Sequence, residues 1–150
     1  MRILLVDDHQ MVRLGLKSFF ELQDDIEEVT EATNGREGVE KALESRPDVI
    51  MMDIVMPEMS GIDATLAILK EWPEAKILIL TSYLDNEKIY PVLDAGARGY
   101  MLKTSSADEI LHAVRKVAKG EFAIETEVSK KVEYHRNHIE LYEDLTARER

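Results

Sequence analysis

Four short apolar runs punctuate the chain: Ile3-Leu4-Leu5-Val6, Val49-Ile50-Met51-Met52, Ile77-Leu78-Ile79-Leu80 and Gly99-Tyr100-Met101-Leu102. Each is too short for a helix, and unbroken apolarity predicts strands covered on both faces. Glu28-Val29-Thr30-Glu31-Ala32 is more polar and predicts an edge strand with one side toward water. Helical spacing fills the gaps. From His9 to Leu22, Val12, Leu16, Phe19 and Phe20 share a face. From Arg36 to Ser45, Val39, Ala42 and Leu43 do the same, and Arg46-Pro47 stops that helix. Ser60 caps a third helix, with Leu66 and Leu69 expected to point inward and Pro73 just beyond its end. Asn86–Ala95 carries Pro91, which predicts a short, late-starting or kinked helix. Ser106-Ala107-Asp108-Glu109 has capping-box spacing, followed by Ile110, Val114 and Val117, with Gly120 as a stop.

Strands alternating with helices predict an α/β domain with a parallel sheet covered on both sides. Five such units in about 120 residues fit a flavodoxin-like, doubly wound fold. The expectation is a five-stranded parallel sheet of order 2-1-3-4-5 with five surrounding helices, over residues 1–120. Residues 121–145 differ. No strand-like run stands out there, and Val128, Val132, His135, Ile139 and Tyr142 recur at helical spacing. They predict a C-terminal linker helix that docks against something. Thr146-Ala147-Arg148-Glu149 is another capping box, so residues 146–150 read as the start of a further domain.

Composition narrows the function classes. The 150 residues are 45% hydrophobic and 33% charged, as in a globular protein with a real core. Cysteine is absent, which excludes disulfides, thiolate metal sites and thiol catalysis. Asp7 and Asp8 interrupt the apolar start before a signal-peptide core forms, and no run approaches the roughly 18 residues of a membrane helix. A cytoplasmic protein is expected. The net charge of −11 repels nucleic acid at long range, so DNA binding is not expected of these residues alone.

The strand ends carry the candidate chemistry. Asp7-Asp8 follow the first strand, Asp53 the third, Thr81-Ser82 end the fourth, and Lys103-Thr104 follow the fifth. In open parallel sheets ligands bind beyond the carboxyl ends of the strands. Three carboxylates, a hydroxyl and an ammonium should therefore meet at one edge. Close carboxylates repel, and a bound divalent cation removes the conflict. Mg²⁺ suits such a set, because it takes hard oxygen ligands and keeps waters. Asp53 can then stay ionised and attack phosphorus, while Lys103 and Thr81 stabilise the transferring group.

These pieces resemble the receiver domains of two-component response regulators. The likeness lies in Val6-Asp7-Asp8, the stretch from Asp53 through Pro57 to Gly61, Thr81-Ser82, and Tyr100-Met101-Leu102-Lys103, in that order over about residues 1–120. It implies that a sensor histidine kinase phosphorylates Asp53. It also implies that Asp7, Asp8, Asp53 and the Val55 backbone carbonyl serve Mg²⁺, and that Thr81 and Tyr100 form a switch. The ending Leu145–Arg150 is similar to the opening of a NarL/LuxR-type helix-turn-helix domain, which would contact DNA in the full-length protein. Asp7–Arg13 and Leu102–Ser105 are most similar to LiaR/VraR-type regulators of Gram-positive cell-envelope stress. That likeness implies a homodimer formed on phosphorylation through the first and fifth helices, with Met11 and Leu14 as candidate surface residues. One departure is Thr104, where the family commonly has proline; an expectation of a cis bond there lapses.

Plainer readings stand beside these. Asp7-Asp8 alone fit a helix cap, Thr81-Ser82 an ordinary loop, and Lys103 a side chain snorkelling from an edge strand. Tyr100 alone is a strand aromatic with a hydrated hydroxyl. Val55 and Tyr83 either flank the pocket and tune water access or simply pack. His135 and His138 form a poor metal pair, with no further ligands nearby in sequence. Competing functions are a haloacid-dehalogenase-type hydrolase, a flavin or dinucleotide binder, and a receiver that dimerises without phosphorylation. The first expects an Asp-x-Asp after the first strand, and the second a glycine-rich or hydroxyl-rich loop; neither is present.

Overall fold

Strand and helix alternate from the first residues onward. The computed structural model describes residues 1–82 and 86–124, and of 86–89 the backbone alone. The elements are β1 (Arg2–Val6), α1 (Gln10–Glu21), β2 (Glu28–Ala32), α2 (Gly35–Ser45), β3 (Val49–Met52), α3 (Gly61–Glu71), β4 (Ile77–Thr81), α4 (Asn86–Ala95), β5 (Gly99–Leu102), α5 (Ala107–Ala118) and β6 (Ala123–Ile124). Tyr83, the linker stripe from Val128 to Tyr142, the His135/His138 pair and residues 146–150 lie outside the described residues.

The sheet order is β2-β1-β3-β4-β5-β6, with every neighbouring pair parallel. The expected order 2-1-3-4-5 is present, and the polar β2 lies at the edge. The short β6 is an addition and corrects the reading that nothing strand-like follows residue 120. It pairs Gly99 with Ala123 and Tyr100 with Ile124. Two residues are too few to show a period in sequence. Their place is set by tertiary bonds: the Ala123 N–H donates to Arg98 O at 3.0 Å, and Arg98 Nη1 to Gly120 O at 2.9 Å.

Period-two alternation distributes each strand between two cores. Leu4, Val6, Ile50, Met52, Ile77 and Ile79 face one side, with Ala64, Ile68, Val92 and Tyr100. Ile3, Leu5, Val49, Met51, Leu78 and Leu80 face the other, against Phe20, Ile110, Val114 and Val117. Both faces are covered, which is why these runs read as continuously apolar.

Local caps fix the helix starts. Asn34 Oδ1 accepts from Glu37 N at 2.8 Å, Ser60 Oγ from Asp63 N at 3.2 Å and Ser106 Oγ from Glu109 N at 3.1 Å. Helix α2 ends at Arg46, whose φ of 45° turns the chain before Pro47. Helix α4 runs ten residues with Pro91 inside it, so it is neither short nor late. Leu66 is a correction: it is exposed, not inward. Gly61, Ala64, Thr65 and Ile68 form the buried stripe of α3, and Leu66 falls off it, while Leu69 packs at the margin of the core. Among the described residues no helix is long and apolar enough to cross a membrane.

Candidate functional site

The order reverses between β1 and β3, which opens a crevice beyond their carboxyl ends. Asp7 follows β1 there, and its N–H donates to Ala32 O of β2 at 3.1 Å. Asp53 follows β3, and its N–H donates to Val6 O at 2.9 Å. Thr81 closes β4 and accepts the N–H of Lys103 at 2.7 Å through its carbonyl. Three backbone hydrogen bonds thus hold all four positions before any side chain acts.

The side chains converge. Lys103 Nζ lies 2.8 Å from Asp7 Oδ2 and 3.2 Å from Asp53 Oδ2. Asp7, Asp53 and Thr81 are 5%, 4% and 3% exposed. Asp8 opens to solvent beside them. The snorkelling reading of Lys103 fails, because its ammonium turns into the pocket and β6 covers part of its strand. Asp7 does not bond the first turn of α1: its Oδ1 accepts the N–H of His9, the cap residue itself, at 2.8 Å, and the His9 side chain makes no capping bond. Asp8, Asp53, Val55, Thr81 and Ser82, with His9, line an open cleft of about 250 Å³.

Charge is out of balance in this cleft. Burial pushes the Asp53 carboxyl above the usual carboxylate range, the Asp7 charge pushes it the same way, and Lys103 opposes both. Among the described residues Asp53 Oδ2 is buried and accepts no well-directed hydrogen bond, although the Lys103 ammonium is near. Asp7, Asp8, His9 and Asp53 each offer one ligand atom, all within 4.8 Å of one another. A hard cation fits that set: it would satisfy the orphaned oxygen and relieve the like-charge repulsion.

A pH dependence follows from Asp53. Unfolded, the group releases its proton near 3.8; folded, it holds the proton to higher pH. Between those values the native chain binds more protons, so stability falls as pH rises through the window, and the deficit persists at neutral pH. Asp53→Asn should therefore raise the melting temperature of the cation-free protein at pH 7. The gain should vanish below pH 3.8. Thermal melts in chelator at both pH values check this; equal melting at pH 7 sinks it.

Three residues to which the sequence reading gave no role of their own contribute to the site. Gly61, where α3 begins, lies so close to Asp53 that a Cβ would overlap the Asp53 carbonyl, and its N–H donates to Ile54 O at 2.7 Å. Arg13 donates through Nη1 to Asp7 O at 2.6 Å and through Nε to Glu31 at 3.3 Å, tying α1 to the β1 end. His9 stands in the cleft itself. A Ser-Gly pair at a helix start is the signal that pointed toward Gly61; Arg13 and His9 had none beyond their nearness to Asp7-Asp8.

The other singled-out residues stand at the margin of this cluster or beyond it. Tyr100 is fully buried with its hydroxyl shielded from water, so the hydrated-hydroxyl reading fails. Val55 is half exposed at the cleft rim. Met11 and Leu14 are 77% and 56% exposed on α1, off the core stripe.

Comparison with known proteins agrees with this geometry. The family model described as the response regulator receiver domain matches residues 3–115. The transcriptional regulatory protein LiaR of Bacillus subtilis is 53% identical over 131 residues, which cover 87% of this chain and 62% of LiaR. The response regulator protein VraR of Staphylococcus aureus is 46% identical over 149 residues, covering 99% of this chain and 71% of VraR. The chain thus spans less than two thirds of the first of these relatives. A LuxR-family two-component response regulator from Aurantimonas superposes with a TM-score of 0.82 at 32% identity, covering 90% of this chain and 96% of that one. The acidic cleft at the sheet switch point, the lysine beyond β5 and these matches together place the chain in the response regulator receiver domain family.

Proposed function

We propose that this chain is a phosphorylation-driven switch whose phosphoacceptor is Asp53. One observation carries the reading: a buried carboxylate, short of hydrogen bonds, sits 3.2 Å from a lysine ammonium and beside two further aspartates. Mg²⁺ is the cation that this oxygen set suits, held by Asp8, Asp53 and the Val55 carbonyl, with Asp7 supporting through water. When bound, the cation screens the carboxylates and stabilises charge on phosphoryl oxygens. A sensor histidine kinase is the donor. An Asp53 oxygen bonds to phosphorus as the bond from phosphorus to the donor's imidazole nitrogen breaks, and the electron pair leaves with that nitrogen. Lys103 and the Thr81 hydroxyl hold the phosphoryl oxygens, which need fixed donors where charge develops.

The switch follows from those contacts. Thr81 moves toward the phosphoryl group, and Tyr100 occupies the space behind it. The population shift equals the difference in stabilisation between the two states. The exposed face of α1 serves a homodimer. Met11 heads a groove of about 360 Å³ that runs between α1 and α5 to Lys103, so the dimer face and the phosphate site share a wall. In the full-length, cytoplasmic protein a C-terminal helix-turn-helix domain would bind DNA, and similarity to LiaR and VraR suggests a role in cell-envelope stress. Residues 1–120 form the receiver, 121–145 the linker, whose first residues add β6 to the receiver sheet, and 146–150 the start of the DNA-binding part.

Intact-mass measurement tests this. Incubation with a small phosphodonor and Mg²⁺ should add one phosphoryl group, and incubation with chelator none. Sizing should show a dimer only in the phosphorylated sample, and Met11→Ala should weaken that dimer about tenfold, as a lost interface anchor does. Labelling that ignores Mg²⁺ counts against the switch; an unchanged Met11→Ala dimer counts against the α1 face.

A further inference from the structure

Helix α1 is patterned inside out over one turn. Met11 and Leu14 are exposed, whereas the side chain of Arg13 between them is only 12% exposed. A helix on a sheet normally turns apolar groups inward and charge outward. Drawing a guanidinium out of water is unfavourable unless it is well paired. Arg13 is paired twice, through Nη1 to Asp7 O at 2.6 Å and through Nε to Glu31 Oε1 at 3.3 Å. Lys17, one turn on, stands 3.5 Å from the other Glu31 oxygen.

The Asp7 carbonyl stands where the sheet runs out. The Asp7 N–H takes the carbonyl of Ala32, the last residue of β2, at 3.1 Å. Beyond that point the strand offers no further rung, and a carbonyl withdrawn from water needs a donor. Arg13 supplies it. This carbonyl belongs to the planar peptide that joins Asp7 to Asp8, so the guanidinium fixes the plane from which both acidic residues branch. Arg13 also lines a small cavity that Asp7 and Asp53 share.

We propose that Arg13 is a positioning residue for phosphoryl transfer. It holds the Asp7-Asp8 peptide, and Glu31 aims it. Because α1 carries it, Arg13 ties the acidic pair to the helix face that bears Met11 and Leu14. Its influence passes through Asp7, not through contact with the phosphoryl group. A phosphoryl group on Asp53 then biases the position of α1, and a partner on α1 biases the acidic pair by the same amount. This rests on the reading of Asp53 as phosphoacceptor and of α1 as dimer face.

Intact-mass labelling of the whole chain with a small phosphodonor and Mg²⁺ tests it, on wild type, Arg13→Gln, Arg13→Lys, Glu31→Ala and the Arg13→Gln/Glu31→Ala double variant. Arg13→Gln should label about tenfold more slowly, the scale on which groups that orient a site act. Arg13→Lys keeps the charge and a donor, and should recover part of that rate. Glu31→Ala should slow labelling less. The double variant should be no slower than Arg13→Gln, because Glu31 acts through Arg13. Once fully labelled, Arg13→Gln should dimerise about fivefold more weakly than labelled wild type. Melting curves establish that each variant is folded at the assay temperature. If Arg13→Gln is not, Glu31→Ala decides alone, and unchanged labelling overturns the proposal. Wild-type labelling by folded Arg13→Gln, losses that multiply in the double variant, or a labelled Arg13→Gln that dimerises like wild type also overturns it. If wild type takes up no phosphoryl group, or its dimer ignores Met11→Ala, the readings beneath it fail instead.

Discussion

An Asp53→Ala chain will take up no phosphoryl group under conditions in which the wild type takes one. Its methyl group offers no nucleophile, and the alternatives are poorly placed. Asp7 is buried and already engaged by Lys103 at 2.8 Å and His9 at 2.8 Å. Asp8 is open to water and lacks a lysine contact among the described residues. The expected loss in labelling rate is at least ~100-fold, the scale of removing a nucleophile. Removing the carboxylate also relieves its burial and its repulsion from Asp7, so the variant is expected to stay folded rather than lose labelling through unfolding. Intact mass with parallel melting curves separates the two effects. Equal labelling of the variant removes Asp53 from its role.

Gly61→Ala will cost the protein ~3 kcal/mol or more, the range of a backbone clash that no rotamer can relieve. A Cβ there overlaps the Asp53 carbonyl and crowds the Ile54 Cα. Both are main-chain atoms, fixed on one side by the Asp53 N–H to Val6 O bond. The loop must move, and Asp53 moves with it. Phosphoryl uptake should therefore fall together with stability. Gly15→Ala is the control: a Cβ at Gly15, on the exposed face of α1, meets nothing within 4 Å. That change should stabilise by ~0.5–1 kcal/mol through helix propensity. Urea unfolding of both variants decides the matter. If they behave alike, close packing at Gly61 does not position the site.

Much of the architecture was readable because its signals are local. A strand buried on both faces must be apolar at every position, so Val49–Met52 and Ile77–Leu80 declare themselves. Ser60 and Ser106 accept the N–H groups that their spacing predicts. The acid, hydroxyl and lysine positions follow, because each stands at the end of such a strand. Leu66 misled, since an apolar residue inside a helix says nothing of phase; the small Ala64 and Thr65 took the buried side.

The chain by itself determined where strands end and which charged groups stand there, since burial and capping act over a few neighbours. Only the folded structure decided that β6 completes the sheet, that Gly61 touches Asp53, and that the His9 ring enters the acidic cleft. Those contacts join residues whose meeting depends on how strands pair and helices pack. No pattern along the sequence encodes a close approach between two backbones or the direction of one exposed ring.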